Sequence, residues 1–375
     1  MKLAHLAAAL LAFAAVVRAD APPPTTAPAG RPIEVCFVLD TTGSMGGLIE
    51  GAKQKIWSMA NDIIATKPKP TSIKIALIGY RDRGDAYVTE VHDLTDDIDT
   101  VFKNLQTFSA GGGGDEPESV NQALSESVDK IAWSRDDKTL KIIFLVGDAP
   151  PHMDYADDVK YPETCQKAVR QNLIINTVQC GAIASTTPIW QEIAKLSEGS
   201  YVQLGQTGDM TVIATPMDAD LAKLNRDVGE TLVPFGNNGA LRPAAVAAQA
   251  AKQSASEDAV SSVTADRLRF NMASGKTVQG DDELIDAIRE KRVQLKDLKD
   301  DQLPESLRNL TPEQREAKLA ELTKQREEIR GKIAELSKQR DAFIAEEKKK
   351  QAAGKQDSFD EQVSKIIADQ AARQK

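Results

Sequence analysis

Alternate residues of the stretch Asp40-Thr41-Thr42-Gly43-Ser44-Met45 offer one carboxylate and two hydroxyls from a short polar turn. Asp40, Thr42 and Ser44 are hard oxygen donors, a set that suits a small hydrated dication such as Mg²⁺, with Mn²⁺ or Ca²⁺ as alternatives. A second turn, Gly111-Gly112-Gly113-Gly114-Asp115-Glu116-Pro117-Glu118-Ser119, joins four glycines, which permit close backbone approach, to an acidic cluster. Either Asp115 or Glu118 would bring a further carboxylate to the ion. The same acids beside Pro117 would equally serve as ordinary caps of a helix. A third turn, Val146-Gly147-Asp148-Ala149-Pro150-Pro151-His152, ends an apolar run in Asp148, which would reach the ion directly or through a water. His152 is a conceivable general base beside a metal-bound water, or a polar cap on the Pro150-Pro151 turn. No Ser/His/Asp spacing, zinc-hydrolase His cluster or Gly-Lys-Ser/Thr phosphate loop accompanies it, so no catalytic residue is assigned.

These turns become one site only if a fold brings them together. Residues 33–39 (IEVCFVL) and 140–146 (LKIIFLV) are nearly continuous apolar runs, the pattern of strands covered on both faces. Between and after them the pattern alternates. It predicts a helix over 48–65, strands over 73–80 and 87–92, helices near 97–106 and 117–131, a helix near 162–171, a strand over 173–179, a helix around 189–196 and a strand over 200–204. Such alternation predicts an α/β fold, a doubly wound, mostly parallel sheet, with one antiparallel edge strand entered through the polar turn at 81–85. In open sheets of this kind ligands bind outside the carboxyl ends of the strands. All three unusual turns fall at such ends. Arg81 and Arg83 lie at that end too, either as contacts for an acidic partner or as solvated turn charges. The string Arg83-Gly84-Asp85 needs no adhesive role, since a turn accounts for its glycine.

The Asp40-x-Thr42-x-Ser44 loop, the Gly-rich second loop and the strand ending in Asp148 resemble the von Willebrand factor type A domain over residues 33–204. Tyr80-Arg81-Asp82 and Gly112 to Glu118 (Gly-Gly-Gly-Asp-x-Pro-Glu) are similar to a subgroup of exported bacterial members. The resemblance implies a metal-ion-dependent adhesion site, with Asp40, Thr42, Ser44 and Asp148 as ligands and the cation completed by an acidic side chain of a protein ligand. The commoner family pattern has Thr in the second loop, whereas this chain has Asp115, Glu116 and Glu118. Integrin β-type domains use an acid there, so the resemblance implies a retained site with one more negative charge. The functional expectation is a protein-binding module and not an enzyme. The alternatives are a regulatory subunit docking on a separate enzyme and, behind it, a metal-dependent hydrolase acting through His152.

Around this core, Lys2, the apolar run 3–17 and Val17-Arg18-Ala19 before Asp20 read as a cleavable export signal, followed by a Pro/Thr-rich linker over 20–32. Secretion or a periplasmic location follows as the expectation, with no lipid anchor and no membrane span. The chain carries 47 basic and 56 acidic residues, and cleavage after Ala19 takes the net charge to about −11, which disfavours nucleic acid as a partner. Of three cysteines, Cys36 reads as a buried small residue, while Cys165 and Cys180 bracket a helix and a strand whose ends would permit one disulfide. Residues 205–280 read as a helix over 218–233 and a low-complexity linker over 237–265, and 281–375 as a helical tail with helices at 282–298 and 312–350. Thr311-Pro312-Glu313-Gln314 supplies a capping signature for the second. Its seam of Leu319, Leu322, Arg326, Ile329, Ile333, Leu336, Arg340 and Phe343 has coiled-coil spacing interrupted by two arginines. It suits self-association, an antiparallel hairpin or a lone helix.

Overall fold

Every residue of the run Ile33–Asp40 is buried, as expected of a strand covered on both faces, and it forms the centre of the sheet as β1. The computed structural model describes residues 30–236, 258–279, 282–351 and 357–373. The export signal and most of the following linker lie outside the described residues, as does 237–257 of the expected low-complexity segment. From β1 the chain runs through α1 (Gly46–Ala65), β2 (Ile73–Tyr80), β3 (Thr89–Thr95), α2 (Ile98–Thr107), α3 (Val120–Asp129), β4 (Leu140–Gly147), α4 (Tyr161–Arg170), β5 (Leu173–Cys180), α5 (Thr186–Leu196) and β6 (Tyr201–Leu204). The six strands are ordered β3-β2-β1-β4-β5-β6, all parallel except the edge strand β3, which is antiparallel to β2. This is the doubly wound sheet expected from the alternation. The return strand starts two residues later and ends three later than its apolar pattern suggests.

Period-two alternation along each strand divides the core into two layers. Val35, Phe37, Leu39, Ile142, Phe144 and Cys180 face α1 and α2, and Phe37 stacks on Phe144 at 5.5 Å. Cys36, Val38, Ile143 and Ile175 face α3, α4 and α5, with Trp190 and Cys165. The two cysteines weighed as a disulfide thus lie on opposite faces of the sheet. All three cysteines are free and buried, which corrects that expectation.

Beyond β6 come α6 (Asp218–Gly229), α7 (Asp258–Ser274), the short α8 (Leu284–Arg289) and α9 (Glu305–Arg308), α10 (Pro312–Gln351) and α11 (Phe359–Arg373). The capping signature before α10 is realised reciprocally. Thr311 Oγ1 accepts from Gln314 N–H at 3.3 Å, and Gln314 Oε1 accepts from Thr311 N–H at 2.9 Å. Two expectations change. The helix expected over 282–298 stops at Arg289, its apolar residues packing with Leu303, Leu307 and Leu319 around loops and single turns. Residues 258–265, expected in a linker, open α7.

The arginines in the seam of α10 are anchors rather than defects. Arg326 is buried, donating to Glu283 at 2.8 Å and to the Thr231 carbonyl at 2.7 Å. Arg340 pairs with Asp218 at 2.7 Å and Asp266 at 2.6 Å. Ile329 and Ile333 pack on α6 and α7. The seam is therefore occupied by this chain's own helices. The last helix returns to the sheet. Phe359 lies 6.4 Å from Phe37, Val363 and Ile367 are fully buried in the α1 layer, and Gln370 exchanges two hydrogen bonds with the buried Asn176 of β5.

Candidate metal centre at the carboxyl ends of the strands

Asp40 is the last residue of β1, fully buried, and its neighbour's turn folds back on it. Thr42 donates to Asp40 Oδ1 from its backbone N–H at 2.8 Å and from Oγ1 at 2.6 Å, and Thr42 Oγ1 lies 3.4 Å from Ser44 Oγ. The predicted trio is therefore assembled. The second loop is laced to the first by hydrogen bonds from Gly111 N–H to Thr41 O and from Gly43 N–H to Gly112 O. Gly112 and Gly113 have φ of +76° and +80°, a left-handed conformation that glycine adopts without steric cost. A side chain on Gly113 would also press on Glu118 Oε1 and Thr42, so the glycine lets these two groups approach. The third loop is tied to the second by Glu118 N–H to Pro150 O at 2.9 Å and His152 N–H to Glu118 O at 3.1 Å. Gly147 matters for the same reason as Gly113, because its missing side chain leaves room for the Asp40 side chain and the Tyr80 hydroxyl.

The acids of the second loop part company. Glu118 is buried, and the charges of Asp40 and Asp148 act on it. Asp115 is exposed and faces His152. Burial, reinforced by Asp40, Asp82, Asp85 and Asp148, pushes the Glu118 carboxyl up to about 9. Burial likewise pushes Asp40 up to about 7, against the pull of the Thr42 donors and with added repulsion from Asp148. Two oxygens, Asp40 Oδ2 and Glu118 Oε2, are buried without a hydrogen-bond partner. Uncompensated acceptors of this kind are costly, and a bound proton or a cation relieves that cost. The residues present fit a hard dication on that ground.

Asp148 sits at the end of β4, buried, with Thr186 Oγ1 donating to its carbonyl at 2.8 Å. Its Oδ2 accepts from Gln206 Nε2 at 2.7 Å, and the same amide lies 3.4 Å from the Ser44 carbonyl. Gln206 was not anticipated, although it follows β6 at the same end of the sheet as the other turns. Arg81 and Arg83 are both engaged. Arg81 is buried, donates to the carbonyls of Thr41 and Ser109, and lies 4.4 Å over the Tyr87 ring. Arg83 pairs with Asp157 and Asp158 and covers the Tyr155 ring at 4.1 Å. Asp85 accepts from the N–H groups of Asp82 and Gly113, so both charged members of the Arg83-Gly84-Asp85 string make contacts within the chain.

Residues 34–215 match the sequence profile described as the von Willebrand factor A domain. The chain is 30% identical over 209 residues to Hemicentin-2 of Mus musculus, covering 53% of this chain and 4% of that protein. It is 36% identical over 88 residues to von Willebrand factor A domain-containing protein 7 of Homo sapiens, covering 24% and 9%. A putative ariadne-like RING finger protein of Acanthamoeba polyphaga mimivirus is 22% identical over 211 residues, covering 52% and 20%. The chain thus spans a fifth or less of the length of these relatives. Among solved structures it is similar to the SpRpn10 VWA domain, at 12% identity and a TM-score of 0.36 over 48% of this chain and 92% of that one. Proximal thread matrix protein 1 from the mussel byssus gives 14% identity and a TM-score of 0.35, covering 48% and 42%. Residues 34–215 of this chain are a von Willebrand factor A domain.

Proposed function

We propose that this domain binds a protein partner through a divalent cation held by Asp40, Thr42, Ser44, Glu118 and Asp148, in an exported protein without catalytic activity of its own. A domain of this family fits a protein-interaction module, and such domains often use a metal. The observation that carries the reading is the pair of buried, partnerless carboxylate oxygens on Asp40 and Glu118 beside the two hydroxyls of the first loop. Glu118 rather than Asp115 is the second-loop ligand, because it is the buried one and it repels Asp40 in the absence of a cation. Mg²⁺ is the ion we assign, on the hardness of an all-oxygen donor set. An acidic side chain of the partner completes the coordination. The extra carboxylate lowers the residual charge of the ion, so metal affinity is favoured at some expense of ligand affinity.

Calorimetric titration of Mg²⁺ into the full chain and into Asp40→Ala tests this. Saturable binding in the wild type, lost in the variant, is the expected result. Absence of saturable Mg²⁺ binding to the wild type, or equal binding by Asp40→Ala, overturns the site.

A further inference from the structure

Beside that cluster lies a second group with different chemistry. Among the described residues, Asp82, Asp115 and His152 each bring one donor atom to within 4.8 Å of the others. His152 is buried against Tyr155, the rings stacked at 4.0 Å, so the imidazole has little freedom to turn. Its Nδ1 lies 2.8 Å from Asp154 Oδ1. A carboxylate there accepts a hydrogen bond from Nδ1–H, and in the neutral imidazole this leaves the Nε2 lone pair facing the other side. That Nε2 is buried and has no hydrogen-bond partner, yet it faces Asp82 Oδ2 at 3.4 Å and Asp115 Oδ2 at 3.8 Å. An acceptor facing two carboxylates is unfavourable unless something positive lies between them. Asp82 is held in this pose from behind, accepting from Ser119 Oγ at 2.9 Å and from the Tyr155 hydroxyl at 3.0 Å.

The spacing allows an ion, and the donor types select it. Ligand atoms at about 2.0–2.2 Å from a tetrahedral centre stand about 3.3–3.6 Å apart. Of the two separations from Nε2, 3.4 Å lies within that range and 3.8 Å just beyond it, and both are longer than an ordinary hydrogen bond. A nitrogen with two carboxylate oxygens suits zinc better than magnesium or calcium, which prefer oxygen alone. A carboxylate on the far nitrogen of the imidazole is the usual outer partner of a metal-bound histidine. We infer that His152, Asp82 and Asp115 form a second cation site, selective for zinc, separate from the oxygen-only site of the first loop. Asp115 is exposed, so the ion has a way in and the remaining position is open to water or to a partner's side chain. With its Nε2 on a metal, His152 is a ligand and not a general base.

The test is calorimetric titration of zinc into the full chain with Mg²⁺ at saturation. Wild type and Asp40→Ala take up one zinc per chain. Asp115→Asn, at an exposed position, and His152→Gln bind it at least about tenfold more weakly, and Asp154→Asn about ten- to a hundredfold more weakly through loss of the outer partner. Far-ultraviolet circular dichroism verifies that each variant is folded, and Asp115→Asn carries the test if the buried histidine variant is not. No one-to-one zinc binding by the wild type overturns the inference, as does wild-type affinity in Asp115→Asn. So does a loss confined to Asp40→Ala, since the zinc would then be sitting in the first-loop site.

Discussion

Asp40 and Glu118 both ionise with more difficulty in the fold than in the unfolded chain, where such groups titrate near about 4. The sign of the linkage follows. For a carboxyl raised by folding, the contribution to stability is complete below about pH 4 and is lost as pH climbs through about 7 for Asp40 and about 9 for Glu118. Thermal unfolding without metal should therefore show a midpoint that falls between pH 5 and pH 9, and saturating Mg²⁺ should flatten that slope. A metal-free midpoint constant over the range would show that the two carboxyls are not strained. Glu118→Gln removes one of the charges. It should raise the metal-free midpoint at pH 9 by roughly 2–4 °C for each kcal/mol recovered, while weakening Mg²⁺ binding in the same calorimetric assay. At this scale the sequence was informative where donors cluster along the chain, as in Asp40, Thr42 and Ser44. It was silent where they meet only in space. Gln206 reaches Asp148 from another strand end, and Tyr155 and Ser119 fix Asp82 across loops with no local pattern. The proposed choice of Glu118 over Asp115 rests on burial, which depends on how the second and third loops pair.

Among the elements, strands were the most legible, because β1 and β4 are buried on both faces and must be apolar throughout. The tail was harder to read, since its partners are ion pairs. Arg326 and Glu283 are both buried, and a lone arginine in an apolar seam looks like a fault until its acid is known to come from another element. Arg326→Ala would strand the Glu283 carboxylate in the interior, a change expected to cost about 3–5 kcal/mol. Urea unfolding measures it. A loss below about 1 kcal/mol would mean that water reaches Glu283 and the pair contributes little. The helix expected over 282–298 failed for a related reason. Its apolar residues are spent on contacts with Leu303, Leu307 and Leu319, which a turn satisfies as well as a helix does.

Across the whole molecule, the layered core is not contiguous in the sequence, because α11 covers the α1 face with Phe359, Val363 and Ile367. Phe359→Ala should cost about 3–5 kcal/mol, the range for emptying a buried aromatic site, although the residue lies far from the sheet in sequence. A chain ending at residue 351 should melt at lower temperature and be cleaved faster by protease than the full chain, and a synthetic peptide of residues 357–373 should restore both. Unchanged melting and cleavage would mean that the sheet closes its own core without this helix. The return of α11 also brings the two ends of the described fold together, with Arg31 donating to the Ala371 carbonyl at 3.3 Å. That meeting point is at the start of β1, whereas Asp40 ends this eight-residue strand, roughly 23 Å away at about 3.3 Å per residue. A leash attached at either end would therefore leave from one pole, and the opposite pole, with its three loops, would be held outward.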